Sequence, residues 1–532
     1  MRHGLRPETF RDAALALIAA VCGVGLGLHY GRIGFMPLDQ SIVFDGGWRV
    51  LSGQVPFRDF TTPSGVVPIF LQGLFFKLFG VSWLSYCLHA AIANGLFCAT
   101  VYGILRLLSA GRLWSFGCGV LSGIVFYPPF GVPYMDQHAF FFGTVAVLLA
   151  VAATRVRGSW GRTLCLAGLP VALLFAYLSK QIPAAFFLPL LALPPWLLPG
   201  QRRRTVLVLA GSAVTTIGAA ALAAGLLGVE LRLFLESFVF LPGAAGEARL
   251  RSLSTPGALL VALVRVPWSW GLLSTGLVHL AVLGLGIHLL RRDPSPAKTS
   301  SVLRLLLAEH LLLACTWFAM LTKNEPENSI PYAFLALGLV QVSVASALSR
   351  WPRVAAAVAT TVAIAATADA YRFNARVNQT RLVLGLEDTP QPAEAPTLPP
   401  GLTFMRWRDP SFGGYSAQDL SSLLGFLGQN PGNFLLVGDA SILYGLSGRP
   451  SVNPVLWFHP RLTLPGRSTP GFVDYQRRLV ESLERHHVRY VVVEMEGSFM
   501  GSRPAAFPAL VDYIQTRIKG RRSFGTFDVI EL

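Results

Sequence analysis

The feature that most constrains this chain is a series of long stretches without a single Asp, Glu, Lys or Arg: 81–105, 113–135, 137–154, 181–200, 205–229, 266–290 and 328–349. About 20 apolar residues at helical rise cross a hydrocarbon core of ~30 Å. In lipid every backbone N–H and C=O must be paired inside its own segment, so such stretches fold as helices. The whole 532-residue chain is only 14% charged and 53% hydrophobic, whereas a soluble domain carries roughly a quarter charged residues. The expected fold class is therefore an α-helical polytopic membrane protein.

The net charge of +16 does not point to nucleic acid. That reading needs the excess gathered on one soluble face. Arginines instead sit in short gaps between apolar runs, at Arg155/Arg157, Arg202–Arg204, Arg291/Arg292 and Arg350/Arg353, as the positive-inside rule predicts. This gives eleven spans: 13–30, 82–105, 113–130, 138–154, 163–179, 182–199, 205–228, 269–290, 303–321, 329–349 and 353–370. The N-terminus is then cytoplasmic, and everything after Tyr371 lies outside a bacterial inner membrane. The basic start MRHGLRPETFR has no small-residue cleavage site after it and reads as a retained anchor. The apolar stretch 64–80 is a tempting twelfth span. Counting it would move the arginine-rich gaps to the outer side, so it is expected to lie along the outer surface as an interfacial helix. All six cysteines fall within apolar runs and read as small buried hydrophobes without disulfide or zinc spacing.

The expected organisation is a transmembrane domain over 1–371, with a first outer loop at 29–81 containing interfacial helices. A Pro-, Glu- and Thr-bearing linker covers 372–431, and an extracytoplasmic α/β domain covers 432–532. In that domain NFLLVGDA (433–440) and VRYVVVEME (488–496) read as strands, with a helix at 472–487 between them.

The first outer loop carries Asp39, then thirteen residues to Gly53, then Pro56-Phe57-Arg58-Asp59-Phe60, and its apolar helix ends at Leu78-Phe79-Gly80. The second outer loop ends in Tyr134-Met135-Asp136, and Ser179-Lys180-Gln181 joins two later spans. With the C-terminal α/β domain, this layout resembles the GT-C class of membrane glycosyltransferases, and within it the bacterial protein-mannosyltransferase and aminoarabinose-transferase (glycosyltransferase family 39/83-like) group. The resemblance implies a GT-C fold and an enzyme that takes sugar from a polyprenyl-phosphate donor on the outer side of the membrane. It implies a glycan, lipid or protein acceptor, and an acidic residue of the first outer loop as the catalytic group, here Asp39. The chain departs from the class pattern at two points. Gln40 stands where a second acid is common, and Thr62-Pro63-Ser64 stands where some members carry Lys-Pro-Pro.

The chemistry asks for these residue types. A phosphate leaving group carries its own negative charge and needs cations, for which Arg58, Lys180, and Arg49 or Arg249 are available. The acceptor hydroxyl loses a proton as it attacks, and a carboxylate in reach accelerates this about 10²–10⁴-fold. Asp39 is the first candidate and Asp136 the second, in an inverting geometry. Asp59, Lys323 and Glu327 complete the candidate substrate-binding set. Structural alternatives stand beside each. Asp39 is a good N-cap for the helix after it, and Asp45–Arg49 is an i,i+4 pair. Arg58–Asp59 reads equally as a turn held by a local ion pair, Asp136 as an interface marker, and Lys180 as a snorkelling cation. Glu309-His310, His138, His279 and His288 read as packing or interface residues. No His/carboxylate cluster has metal-ligand spacing, and the missing second acid argues against a divalent ion without removing that option. The competing functions are a transporter or flippase of lipid-linked saccharides, a glycan polymerase, and an inactive scaffold.

Overall fold

The computed structural model describes residues 7–33, 37–128, 130–156, 158–251, 255, 257, 397–407, 416–459, 462–495 and 504–532. The four expected spans from 269 to 370 lie outside them, as do Lys323, Glu327, Glu309, His310, His279, His288 and Cys315.

Five helices among the described residues are long and apolar enough to cross a membrane. They are α1 (Pro7–Gly31), α4 (Trp83–Leu107), α6 (Met135–Arg155), α7 (Ser159–Ser179) and α10 (Arg202–Leu226), and each covers an expected span. Two shorter helices precede α4, namely α2 (Pro37–Leu51) and α3 (Val66–Phe79). At 14 residues, α3 is about 21 Å long, short of the ~30 Å a span needs. It buries Pro68, Ile69, Gln72, Gly73 and Phe76 and leaves Leu74, Leu78 and Phe79 exposed.

Two expected spans differ from the structure. Over 113–130 the helix α5 (Arg112–Val125) stops after 14 residues, just before Tyr127-Pro128. Over 182–199 no continuous helix forms. The chain runs through α8 (Gln181–Ala185), a 3₁₀ turn, α9 (Leu193–Leu197) and a second 3₁₀ turn. The cause is proline at 183, 189, 194, 195 and 199. Each lacks an N–H and crowds the preceding turn.

Helix α1 lies close against α4. A Cβ at Gly23 would fall 2.8 Å from the Gly95 Cα, and one at Gly27 would fall 2.7 Å from the Ala91 Cα. At one end of the pair, the Asp12 carboxylate accepts from the Tyr102 hydroxyl and from Arg106 and Arg112.

After α10 come α11 (Leu231–Phe234), a π-helical segment Leu235–Phe240, and α12 (Leu241–Arg251). The C-terminal part has a four-stranded sheet in the order β1-β2-β4-β3. Its strands are β1 (Asn433–Val437), β2 (Val488–Glu494), β3 (Gly520–Phe524) and β4 (Phe527–Glu531). β1 and β2 are parallel, and the other two pairings are antiparallel. Helices α13 (Ala417–Gln429), α14 (Ile442–Ser447), α15 (Pro470–Arg485) and α16 (Pro508–Gln515) accompany it. One sheet face, with Leu435, Val491 and Val493, packs on α15 and α16 through Leu479, Leu483 and Leu510. The other, with Phe434, Leu436 and Val492, belongs to a core that continues through Ile442 and Leu443 into Phe44, Phe76, Trp83 and Tyr86 of α2, α3 and α4. The helical part and the sheet therefore share one hydrophobic core.

Candidate active site

Five pieces of chain converge at the end of the bundle that carries the sheet: the start of α2, residues 62–66, the start of α6, the α7–α8 junction and the π-helical segment. α2 begins at Pro37, two residues before Asp39. Proline suits the first helical position because its fixed φ is already helical and no N–H is lost there. Asp39 is thus inside the first turn rather than at the N-cap, and its charge complements the helix dipole. Its neighbour Gln40 is buried and donates to the Phe130 carbonyl at 2.9 Å, which ties the start of α2 to the loop leading into α6.

Asp136 lies in the first turn of α6 with its side chain fully buried. Lys180 reaches it from the α7–α8 junction, with Nζ 2.9 Å from Oδ1 and 3.1 Å from Oδ2. The lysine side chain remains 23% exposed. Both neighbours of Lys180 are fixed to the segment before α3. The Ser179 carbonyl accepts from the Gly65 N–H at 2.8 Å. The Gln181 amide donates to the Pro63 carbonyl at 2.7 Å and also to the Phe238 carbonyl of the π-helical segment. Ser64 meanwhile contacts the Met135 sulfur. Lys180 thus stands beside Thr62-Pro63-Ser64, and two expected site residues 44 positions apart form one ion pair.

Arg58 and Asp59 are paired at 2.7 Å on the loop before α3. Arg58 also donates to the Gly53 carbonyl at 3.0 Å and to the Leu227 carbonyl at 3.2 Å, and the Asp59 carboxylate accepts from the Val55 N–H. These contacts match the local ion-pair alternative: the arginine staples its own loop to the end of α10. Phe57 is held at φ 62°, a left-handed conformation that a bulky residue adopts only under strong local constraint. Its ring meets Phe234 and Phe238 edge-on at 5.1 and 5.9 Å, so this loop reaches the same π-helical segment that Gln181 grips.

A hydrogen-bonded chain beneath Asp136 had no signal in the residue spacing. The His138 Nε2 lies 2.9 Å from the His89 Nε2, and the His89 Nδ1 lies 2.9 Å from the Gln72 side-chain amide. The His138 Nδ1 faces the Tyr134 carbonyl at 3.0 Å and the Tyr127 hydroxyl at 2.6 Å. Two neutral imidazoles in line pass hydrogen bonds in one sense, so the tautomer of one ring fixes that of the other. The chain links α3, α4 and α6 directly under the Asp136 turn.

No group of three or more His, Cys, Asp or Glu able to hold a metal ion occurs among the described residues.

No protein-family model matches the sequence, and no curated protein matches it either. Solved structures do. The oligosaccharyltransferase of Archaeoglobus fulgidus, solved with Zn and sulfate, aligns with 90% of this chain and 68% of its own at 14% identity and a TM-score of 0.44. ArnT from Cupriavidus metallidurans, solved with undecaprenyl phosphate bound, aligns with 99% of this chain and 98% of its own at 12% identity and a TM-score of 0.50. The end-to-end alignment with ArnT shows the fold, and by fold this chain is a multi-pass membrane protein of the GT-C type.

Proposed function

We propose that the chain is an integral-membrane glycosyltransferase that moves a sugar from a polyprenyl-phosphate donor to an acceptor hydroxyl on the outer side of the membrane, with inversion. The observation that carries the reading is the Lys180–Asp136 pair beside Thr62-Pro63-Ser64. Some class members carry Lys-Pro-Pro before the interfacial helix; here the lysine beside that segment is Lys180 of the α7–α8 junction. A partly exposed ammonium can turn from Asp136 toward a donor phosphate, which it binds as a point charge. The ArnT structure with undecaprenyl phosphate supports a donor of this chemical class.

In the proposed step the acceptor oxygen attacks the anomeric carbon, and its proton passes to the Asp39 carboxylate. The bond from that carbon to the phosphate oxygen breaks on the opposite face. The released polyprenyl phosphate keeps the electron pair, and Lys180 offsets its charge. The donor set does not favour a divalent ion here, because Gln40 replaces a second acid and the Asp136 carboxylate is already engaged by an ammonium. No step is assigned to a metal.

The test is turnover of a panel of radiolabelled undecaprenyl-phosphate pentoses and hexoses by purified protein. Asp39→Asn is expected to lower turnover about 10²–10⁴-fold, with binding of undecaprenyl phosphate retained. Full turnover by a folded Asp39→Asn protein would remove Asp39 from the reaction. The orientation is checked by reporter fusions, cytoplasmic after Arg155 and external after Ala417.

A further inference from the structure

The half of α2 beyond Asp39 is not held by the membrane part alone. Asp45 and Arg49 form a 2.8 Å ion pair whose side chains are 0% and 1% exposed. The C-terminal domain, about 400 residues away in the chain, supplies a hydrogen-bond partner to each. Arg49 Nη1 donates to the Asn453 carbonyl at 2.8 Å, and the Ser451 hydroxyl donates to Asp45 Oδ1. Around this pair, Trp48 Nε1 donates to the Arg449 carbonyl at 2.8 Å and the Gln54 amide to the Ser451 carbonyl at 2.9 Å. Backbone bonds join Thr61 to Pro454 and Leu456. Gly445 sits so close to α2 that a Cβ there would fall 2.8 Å from the Phe44 ring.

Such an interface is a poor way to gain affinity. Removing two charges from water is expensive, and a well-packed apolar pair of similar volume is often as stable or more so. The pair supplies register instead. Its partners are satisfied at one rotation and one height of the helix, whereas an apolar contact tolerates sliding. α2 is one helix, so its register at Asp45 and Arg49 sets the position of its first turn. Those residues lie about 9 and 15 Å along the axis from Asp39, so a tilt of about 4–6° moves Asp39 by ~1 Å. Displacement of that size in a reacting group is enough to slow catalysis about 10²-fold.

We propose that the C-terminal domain is a positioning element of the transfer site, and that it holds Asp39 in place by clamping α2 at Asp45 and Arg49. This inference rests on the reading of Asp39 as the base. Asp45, Arg49 and Ser451 are positioning residues that act through the helix and touch no substrate.

The experiment compares Ser451→Ala, Ser451→Thr and Arg49→Lys in the full-length protein. Ser451→Ala removes one hydroxyl and is the variant to rely on if Arg49→Lys does not fold. Hydrogen exchange across residues 37–51 should quicken about tenfold in Ser451→Ala, with α4 and α6 unchanged, and Ser451→Thr should restore the wild-type rate. Turnover of an undecaprenyl-phosphate sugar per folded molecule should fall about tenfold or more, while the affinity for undecaprenyl phosphate stays within twofold. Unchanged exchange across 37–51 overturns the proposal. So does full turnover in Ser451→Ala and Arg49→Lys when Asp39→Asn is inactive. If Asp39→Asn is itself fully active, the functional reading fails, and the exchange rates alone decide whether the domain holds the helix.

Discussion

Among the described residues two ion pairs use a fully buried aspartate, and they differ in the surroundings of the cation. In Asp45–Arg49 both side chains are buried, and the guanidinium is committed to Asp45, to the Asn453 carbonyl and to the face of Phe60 at 4.8 Å. In Asp136–Lys180 the lysine keeps 23% of its side chain exposed. The first arrangement has no room for a visitor and reads as scaffold. The second leaves a cation partly exposed beside a buried counter-ion, which suits the capture and release of an anion. Burial of the acid alone does not separate the two; the exposure of its partner does.

The largest expected effect would break the scaffold pair. Arg49→Met strands a buried carboxylate, and unfolding measurements should show a loss of about 3–5 kcal/mol. The next change sharpens the contrast. Lys180→Gln should weaken undecaprenyl phosphate binding about 10–10²-fold, as expected for one hydrogen bond to a charged group. The double variant Asp136→Asn/Lys180→Gln should recover the thermal stability lost in the single one but not the affinity. Recovery of both would make the pair scaffold as well. A third pair, Arg58–Asp59, is exposed on both sides. Arg58→Ala should therefore lower stability by only about 0.2–1 kcal/mol and leave phosphate-lipid affinity within twofold.

The smallest effect is a pair of opposed pH slopes. The Asp474 carboxyl is held below its usual range by the Arg477 hydrogen bond and then by the charges of Arg478 and Arg477. Its stabilisation is present above the unfolded value of about 4 and is lost as pH falls further. Burial pushes the Asp45 carboxyl the other way, above the usual range, against the pull of Arg49 and Ser451. Between the unfolded value and that raised one the native state holds the extra proton, so its contribution falls as pH rises. Melting temperatures of Asp474→Asn and Asp45→Asn across pH 3–7 should diverge from wild type with opposite sign.

Much of the helical layout was legible because lipid allows so few backbone solutions. Five of the expected spans became α1, α4, α6, α7 and α10. Where the reading failed, over 182–199, the prolines were visible, but mean hydropathy masks them: it measures transfer to lipid and not the ability to continue a helix. The Asp45–Arg49 pair was legible as an i,i+4 contact, yet nothing local reveals that Ser451 and Asn453 bond to it. Lys180 and Asp136 were each singled out, but their pairing depends on how α6 and α7 stack. β3 reads GRRSF, and two adjacent arginines hide a strand whose neighbour β4 supplies the apolar side chains.

The π-helical segment Leu235–Phe240 carries a last consequence. A turn closed by i→i+5 bonds holds one residue more than the α turn it replaces. Deleting a single residue there would restore ordinary winding, with the turns on either side kept in line and the residues inside the segment shifted out of their present places. The Phe238 carbonyl would swing off the amide beside Lys180, and the Phe238 ring would leave Phe57. One codon in a stretch with no ionisable group of the site could thus unseat two loops together, which makes this segment a place where length, more than side-chain identity, is under constraint.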